Sequence, residues 1–220
     1  MGECVHHVPP PHAAGAPTQK KSLHAAERDT PRVQQARADY RQVIEALDVR
    51  RLKFVDESGV NLAMTRLYGR APKGERVVGS APQNYGHNVT VLAALGPQGL
   101  HAMMTVEGAT DAEVFRAYVK HVLGPTLAPG DIVVLDNLRA HKAVGIQQML
   151  ARRRVRLLYL PPYSPDLSPI EPCWSKVKTG LRTAKARTRE ALEAALRQAL
   201  ATITASDAQN GCRHCGYVLH

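Results

Sequence analysis

Between Pro31 and Leu47 apolar side chains recur every three or four residues, at Val33, Ala36, Tyr40, Val43, Ile44 and Leu47, with charged residues on the other face. That spacing predicts an amphipathic helix with Pro31 in its first turn. The period then shortens to two. Leu52, Phe54 and Asp56 share one face of a strand predicted over Leu52–Glu57, and Glu57 points to the opposite face. Asn61–Tyr68, Asn88–Leu95 and Leu100–Val106 are further strand candidates, the last two joined by a Gly-Pro-Gln-Gly turn. Thr110 and Glu113 fit a capping box for a helix carrying Val114, Phe115, Tyr118, Val119 and Val122, which the segment Pro125–Gly130 ends. The apolar run Ile132–Leu135 has the pattern of a strand covered on both faces. A helix from about His141 to Arg152 and a strand over Val155–Leu160 follow. Ser168 and Pro169 open another helix, and a last one begins near Thr188 with Leu192, Leu196, Leu200 and Ile203 on its apolar face.

Strand, helix and strand in this order imply a right-handed parallel crossover, so the fold class is α/β. The expected architecture is a mixed five-stranded sheet, three antiparallel strands followed by parallel strands, with helices on both faces. At 220 residues the chain can bury one substantial core but lacks the length for two large domains. Residues 1–20 show no apolar period and are expected to form a disordered tail, with His6, His7 and His12 inside it. Residues 21–50 read as a linker and lead helix, 51–206 as the domain, and 207–220 as a C-terminal tail, because the periodic signal fades beyond Ser206.

Charge adds a class of partner. Lys and Arg number 29 against 19 Asp and Glu, a formal +10, which favours polyanions such as nucleic acid. No run approaches the roughly 20 apolar residues of a membrane span, and the first residues lack a signal peptide's apolar core. A cytoplasmic protein without a membrane partner is expected. Four cysteines are too few and scattered for a disulfide framework, and the close pair Cys212 and Cys215 has no second pair at zinc-site spacing.

Three carboxylates carry the candidate chemistry. Asp56 lies late in one predicted strand, Asp136 ends another, and Glu171 falls in the first turn of the helix opened by Ser168 and Pro169. Glu171 also fits a capping box on Ser168, so its position alone does not separate chemistry from capping. Ligands in such sheets gather at the carboxyl ends of strands, where neighbouring strands would bring Asp56 and Asp136 side by side. Three acids together raise one another's pKa, and oxygen-only ligands suit Mg²⁺ or Mn²⁺. Two such ions, about 4 Å apart, activate the attacking oxygen and stabilise the leaving one in phosphodiester displacement.

Other residues are weighed beside these. Glu57 reads as a structural partner, and Asn137 and His141 either orient Asp136, touch DNA, or serve as turn and helix-start residues. Asp166 competes for the third acid, but its proline-fenced turn suits a local backbone bond. Trp174 and Lys178 share the Glu171 helix face, Trp174 as core and Lys178 as a phosphate contact. The Gly- and Pro-rich segment 69–86 and its approach carry Arg66, Arg70, Lys73 and Arg76, which suit either phosphate contact or a solvated hairpin. Lys142 and Tyr163 complete the DNA-facing candidates.

The segments F-V-D-E-S-G, L-D-N-x-x-x-H and L-P-P-Y-S-P-D-L-S-P-I-E-P-x-W, with 34 residues between Asp136 and Glu171, together resemble the DDE transposases of the mariner-like superfamily. The nearest resemblance is to the bacterial insertion-sequence family numbered six-thirty, over roughly residues 20–217. It implies a ribonuclease-H-like fold with Asp56, Asp136 and Glu171 as the metal-binding triad. It also implies cleavage at transposon ends by water, then joining of a 3′-hydroxyl into target DNA, typically at TA, with a homodimer as a further implied partner state. Ser168 stands where the family has Asn, and both residues cap helices well. Relatives carry helix-turn-helix units ahead of the catalytic region, whereas about 50 residues precede Asp56 here. The expectation is a DNA-binding half supplied separately, and the alternative is a catalytically idle DNA-binding remnant or regulator.

Overall fold

The structure, a computed structural model, describes residues 23–138, 141 and 145–218. The tail expected over 1–20 and the DNA-facing candidate Lys142 lie outside these residues. In chain order the elements are α1 (Pro31–Glu45), β1 (Leu52–Val60), β2 (Val89–Gly96), β3 (Gly99–Glu107), α2 (Ala112–Tyr118), β4 (Ile132–Leu135), α3 (Ile146–Arg152), β5 (Arg156–Tyr159), α4 (Ile170–Ala184), α5 (Arg189–Ala201) and α6 (Ala205–His214).

Five of the six strand candidates form one sheet in the order β3-β2-β1-β4-β5. The first three strands are antiparallel, and β4 and β5 run parallel to β1. Alternation sorts the sheet's side chains between two cores. Leu52, Phe54, Val91, Ala93, Ile132 and Val134 meet α1, α4, α5 and α6, while Val55, Leu92, Ala94, Val133 and Leu135 meet α2 and α3. Helices therefore cover both faces, as the apolar pattern predicts.

Asn61–Tyr68 is not a strand. β1 runs on to Val60 opposite Val89, and the Asn61 side chain then accepts from Ala63 N at 3.1 Å and donates to Asn88 Oδ1 at 2.9 Å. These local bonds turn the chain out of the sheet. The cap before α2 also differs from expectation. Asp111, not Thr110, accepts from Glu113 N and Val114 N, at 2.9 and 2.8 Å.

The largest correction concerns residues 207–220, which do not form a tail over their described part. Thr204 and Asp207 close a capping box and start α6, whose Ala208, Gly211 and Cys212 are buried. A Cβ on Gly211 would lie 2.9 Å from Pro169 O, so only glycine lets this helix pack against the residue before α4. Beyond α6, Tyr217 donates to Leu167 O at 2.7 Å, so Tyr40 is the donor in its 2.8 Å bond to Tyr217. The Tyr217 ring meets Phe54 edge-on, 5.0 Å between centroids. Cys212 and Cys215 belong to this core, where burial pushes their thiols up to about 11 and about 12.

Candidate active site

The parallel register pairs Leu52 with Ile132 and Phe54 with Val134. Continued by two residues, it sets Asp56, midway along β1, opposite Asp136, which follows the carboxyl end of β4. Neighbouring strands lie about 4.8 Å apart, so the two acids share one mouth of the sheet. Glu171 reaches the same mouth from the first turn of α4. All three line one cleft of about 550 Å³, together with Arg32, Asn137, Leu138, the loop Pro161–Pro165 and Ser168. A larger cleft, about 760 Å³, opens between residues 83–88 and the end of the sheet at Gly59, Thr90 and Gly108, but no carboxylate among the described residues lines it.

Each acid has a different environment. Asp56 is partly buried, and its carboxyl is pushed up to about 7, first by burial and further by the charges of Glu171 and Asp136. The Glu57 backbone and the Trp174 indole oppose that rise, the indole Nε1 donating to Asp56 Oδ2 at 3.0 Å. Asp136 Oδ1 accepts from Leu138 N at 2.9 Å and from His141 Nδ1 at 2.5 Å. His141 reaches Glu57 Oε1 with its other nitrogen at 3.3 Å. With an acid on each nitrogen the ring is a double donor. Burial alone would lower its pKa, but the two acids prevail and hold it at about 9. Glu171 is exposed, and no side-chain hydrogen bond caps α4. The capping-box alternative for Glu171 is thereby removed, and the cap position falls on Pro169 while Ser168 is buried in the cleft wall.

Several side chains occupy places that the sequence reading did not give them. His141 has no exposed surface, with Phe115 against its ring at 4.3 Å, so it orients Asp136 and cannot touch DNA. Asp166 does not bond chiefly to its own turn. It receives both ends of the Arg37 guanidinium, at 3.0 and 2.7 Å, and Arg28 at 3.2 Å. Asn137 donates to Leu160 O and ties the end of β4 to the end of β5. Trp174 is core, as expected, but its bond to Asp56 was not foreseen. Arg66, Arg70, Lys73 and Arg76 are exposed along a stretch without regular structure, and Arg66 Nε lies 3.4 Å from Thr183 Oγ1. Tyr163 is half exposed on the cleft rim, with φ of 54°, and Lys178 is half buried on α4.

Residues 51–193 match the family of the DDE superfamily endonuclease. The chain belongs to that family. It is 28% identical over 181 residues to the Tcb1 transposable-element transposase of Caenorhabditis briggsae, a match covering 74% of this chain and 65% of that protein. The Tcb2 transposase of the same organism is 28% identical over 143 residues, 60% of this chain and 52% of that one. Among solved structures, the Mos1 transposase paired-end complex with left transposon end superposes with a TM-score of 0.73 at 13% identity, covering 92% of this chain and 64% of that one. The Mos1 mariner catalytic domain gives 0.62 at 14% identity, covering 89% and 92%. The DDE endonuclease fold is thus the ribonuclease-H-like sheet of the Mos1 catalytic domain. This chain spans between about half and two thirds of the whole transposases it resembles.

The three acids lining the cleft offer carboxylate oxygens, and Asp56 bears the cost of burial beside the other two. That composition fits a hard divalent cation better than a softer metal. Among the described residues no three His, Cys, Asp or Glu side chains are gathered closely enough to hold an ion as they stand.

Proposed function

We propose that this chain is the catalytic region of a DNA transposase, with Asp56, Asp136 and Glu171 holding Mg²⁺ or Mn²⁺, two ions when fully loaded. One observation carries the reading: three carboxylates from β1, the end of β4 and the start of α4 converge on one cleft in a chain of the DDE endonuclease family. When bound, the cations activate an attacking oxygen and stabilise a leaving one. The chain's own side chains fix the ligands. Trp174 anchors one oxygen of Asp56, and His141 and the Leu138 amide hold one oxygen of Asp136. The proposed substrates are transposon-end and target DNA, cut by water and joined by a 3′-hydroxyl, with TA as the target and a pair of chains acting together. Within the superfamily we favour the bacterial insertion-sequence family numbered six-thirty, on the F-V-D-E-S-G and P-Y-S-P-D-L-S-P-I-E segments.

The test is nicking of duplex DNA by the purified chain with Mn²⁺, beside Asp136→Ala and an EDTA control. Nicking by the wild-type chain alone supports the proposal. Duplex binding without nicking would favour the idle DNA-binding reading, and nicking retained by Asp136→Ala would show the acids to be misassigned.

A further inference from the structure

A second feature lies at the other end of the sheet. α2 continues through a π turn over Val119–Leu123, and α3 ends at Arg152 where the chain turns back into β5. Between them is a groove of about 440 Å³ with Val119, Met149 and Leu150 among its walls and Arg116, Lys120, Arg152 and Arg153 as its only charged residues among those described. Arg154 and Arg156 are exposed just beyond it. No ion pair among the described residues involves any of these six cations.

Two structural details show that this arrangement is built. A Cβ on Gly124 would lie 3.0 Å from Arg153 Nε and 2.8 Å from Val119 O, so the absence of a side chain there lets Arg153 lie across the turn. π turns are rare and concentrate at functional sites. The helix dipole accounts for a cation or two at the end of α3. It does not account for cations from two helices facing one another without an acid between them, since charges within the Debye length of about 8 Å repel.

We propose that this groove binds the phosphate backbone of a second DNA segment, separate from the duplex at the three acids. Distance separates the two sites. Asp136 follows the carboxyl end of β4, whereas the groove lies at the amino ends of β4 and β5, five residues of extended chain away, about 16 Å at roughly 3.3 Å per residue. Contacts of this kind set position without reading bases, because among the described residues the polar side chains lining the groove are all cations and none is Asn or Gln. The inference rests on the transposase reading for the identity of its partner as DNA.

The test compares the full chain with Arg116→Gln/Lys120→Gln/Arg152→Gln/Arg153→Gln and with the charge-keeping Arg116→Lys/Arg152→Lys/Arg153→Lys. Affinity for a random 30-base-pair duplex is measured against salt, and Mn²⁺-dependent nicking is followed on a short duplex. Neutralising four phosphates gives a log–log salt slope of about −3.6, so the glutamine variant should lose roughly that much slope while the lysine variant keeps it. Short-duplex nicking should stay within about twofold, which also reports intact folding. An unchanged slope in a glutamine variant that still nicks would overturn the groove assignment alone. A slope lost equally in the lysine variant would also overturn it. A wild-type chain that neither binds nor nicks DNA would instead overturn the transposase reading.

Discussion

Asp166→Ala removes the acid that receives the buried Arg37. The Arg37 side chain is 3% exposed and grips both carboxylate oxygens of Asp166, which is itself 39% exposed. Removing one partner of a fully buried pair costs about 3–5 kcal/mol, and of an exposed pair about 0–1 kcal/mol. This pair lies between those limits, and Arg37 would keep its 2.7 Å bond to Ser164 Oγ. The expected loss is about 2–3 kcal/mol. Urea unfolding reads it directly: with an m value of about 3 kcal/mol/M the midpoint falls by about 0.7–1 M, with m unchanged. The double variant Arg37→Met/Asp166→Ala should be no less stable than Arg37→Met alone, because no buried charge is then left unpaired. A single-variant loss under about 0.5 kcal/mol, or strict additivity in the double variant, would refute the strut between α1 and the loop before α4.

The Arg37 bond holds the Asp166 carboxyl below its ordinary value, so the folded state binds fewer protons there than the unfolded one. The stability gap between wild type and Asp166→Asn should be full above about pH 4 and close as pH falls through the lower folded value, as acid titrations of urea midpoints would record. Trp174→Phe keeps an aromatic ring but loses the donor to Asp56, and should weaken Mn²⁺ binding by about 10–100-fold in a direct metal titration. Tyr217→Phe leaves the Leu167 carbonyl without this donor and Tyr40 without its acceptor, lowering stability by about 1–3 kcal/mol in the same urea assay. Asp136→Asn should lower nicking by at least about 10²–10³-fold, the equivalent of several kcal/mol of lost charge stabilisation, while duplex affinity is equal or slightly higher.

The sheet is legible because its strands are short apolar runs bounded by turn residues, continuous in β4 and alternating at the start of β1, where Asp56 falls on the face of Leu52 and Phe54. An acid there calls for an explanation within its own sequence window. Arg37 gives no such signal, since an arginine on an amphipathic helix is ordinarily solvated and its acid is 129 residues away. His141 was visible in D-N-x-x-x-H, but its burial depends on Glu57, 84 residues earlier and on the opposite strand face from Asp56. α6 escaped for a different reason. It buries alanine, glycine and cysteine rather than a leucine stripe, so hydrophobicity fades where close packing begins. Asn61–Tyr68 has the apolar content of a strand, but the Asn61 side chain's bonds to Ala63 N and Asn88 turn it out of the sheet.

The placement of charge bears on what the site can do. Asp136 has a cation of its own, since His141 at about 9 is charged at neutral pH and shared only with Glu57. Asp56 has none: an indole and a backbone amide offset part of its burial, and two further acids work against it. A lysine at this point would neutralise the cluster and compete with any incoming metal. Yet in a chain of net charge +10, Arg32 is the only lysine or arginine among the described residues lining the cleft, while four cations gather in the groove at the far end of the sheet. Positive charge is thus held where it can attract a polyanion and kept from where it would occupy the acids. The fold bears an uncompensated Asp56 because β1 is fixed on both sides, by β2 and β4, and on its face by Trp174, bonded to Asp56, and by Tyr217, whose ring meets Phe54. A loop could relax and let that carboxylate escape to solvent. A central strand cannot, so the electrostatic demand for a cation persists in the folded chain.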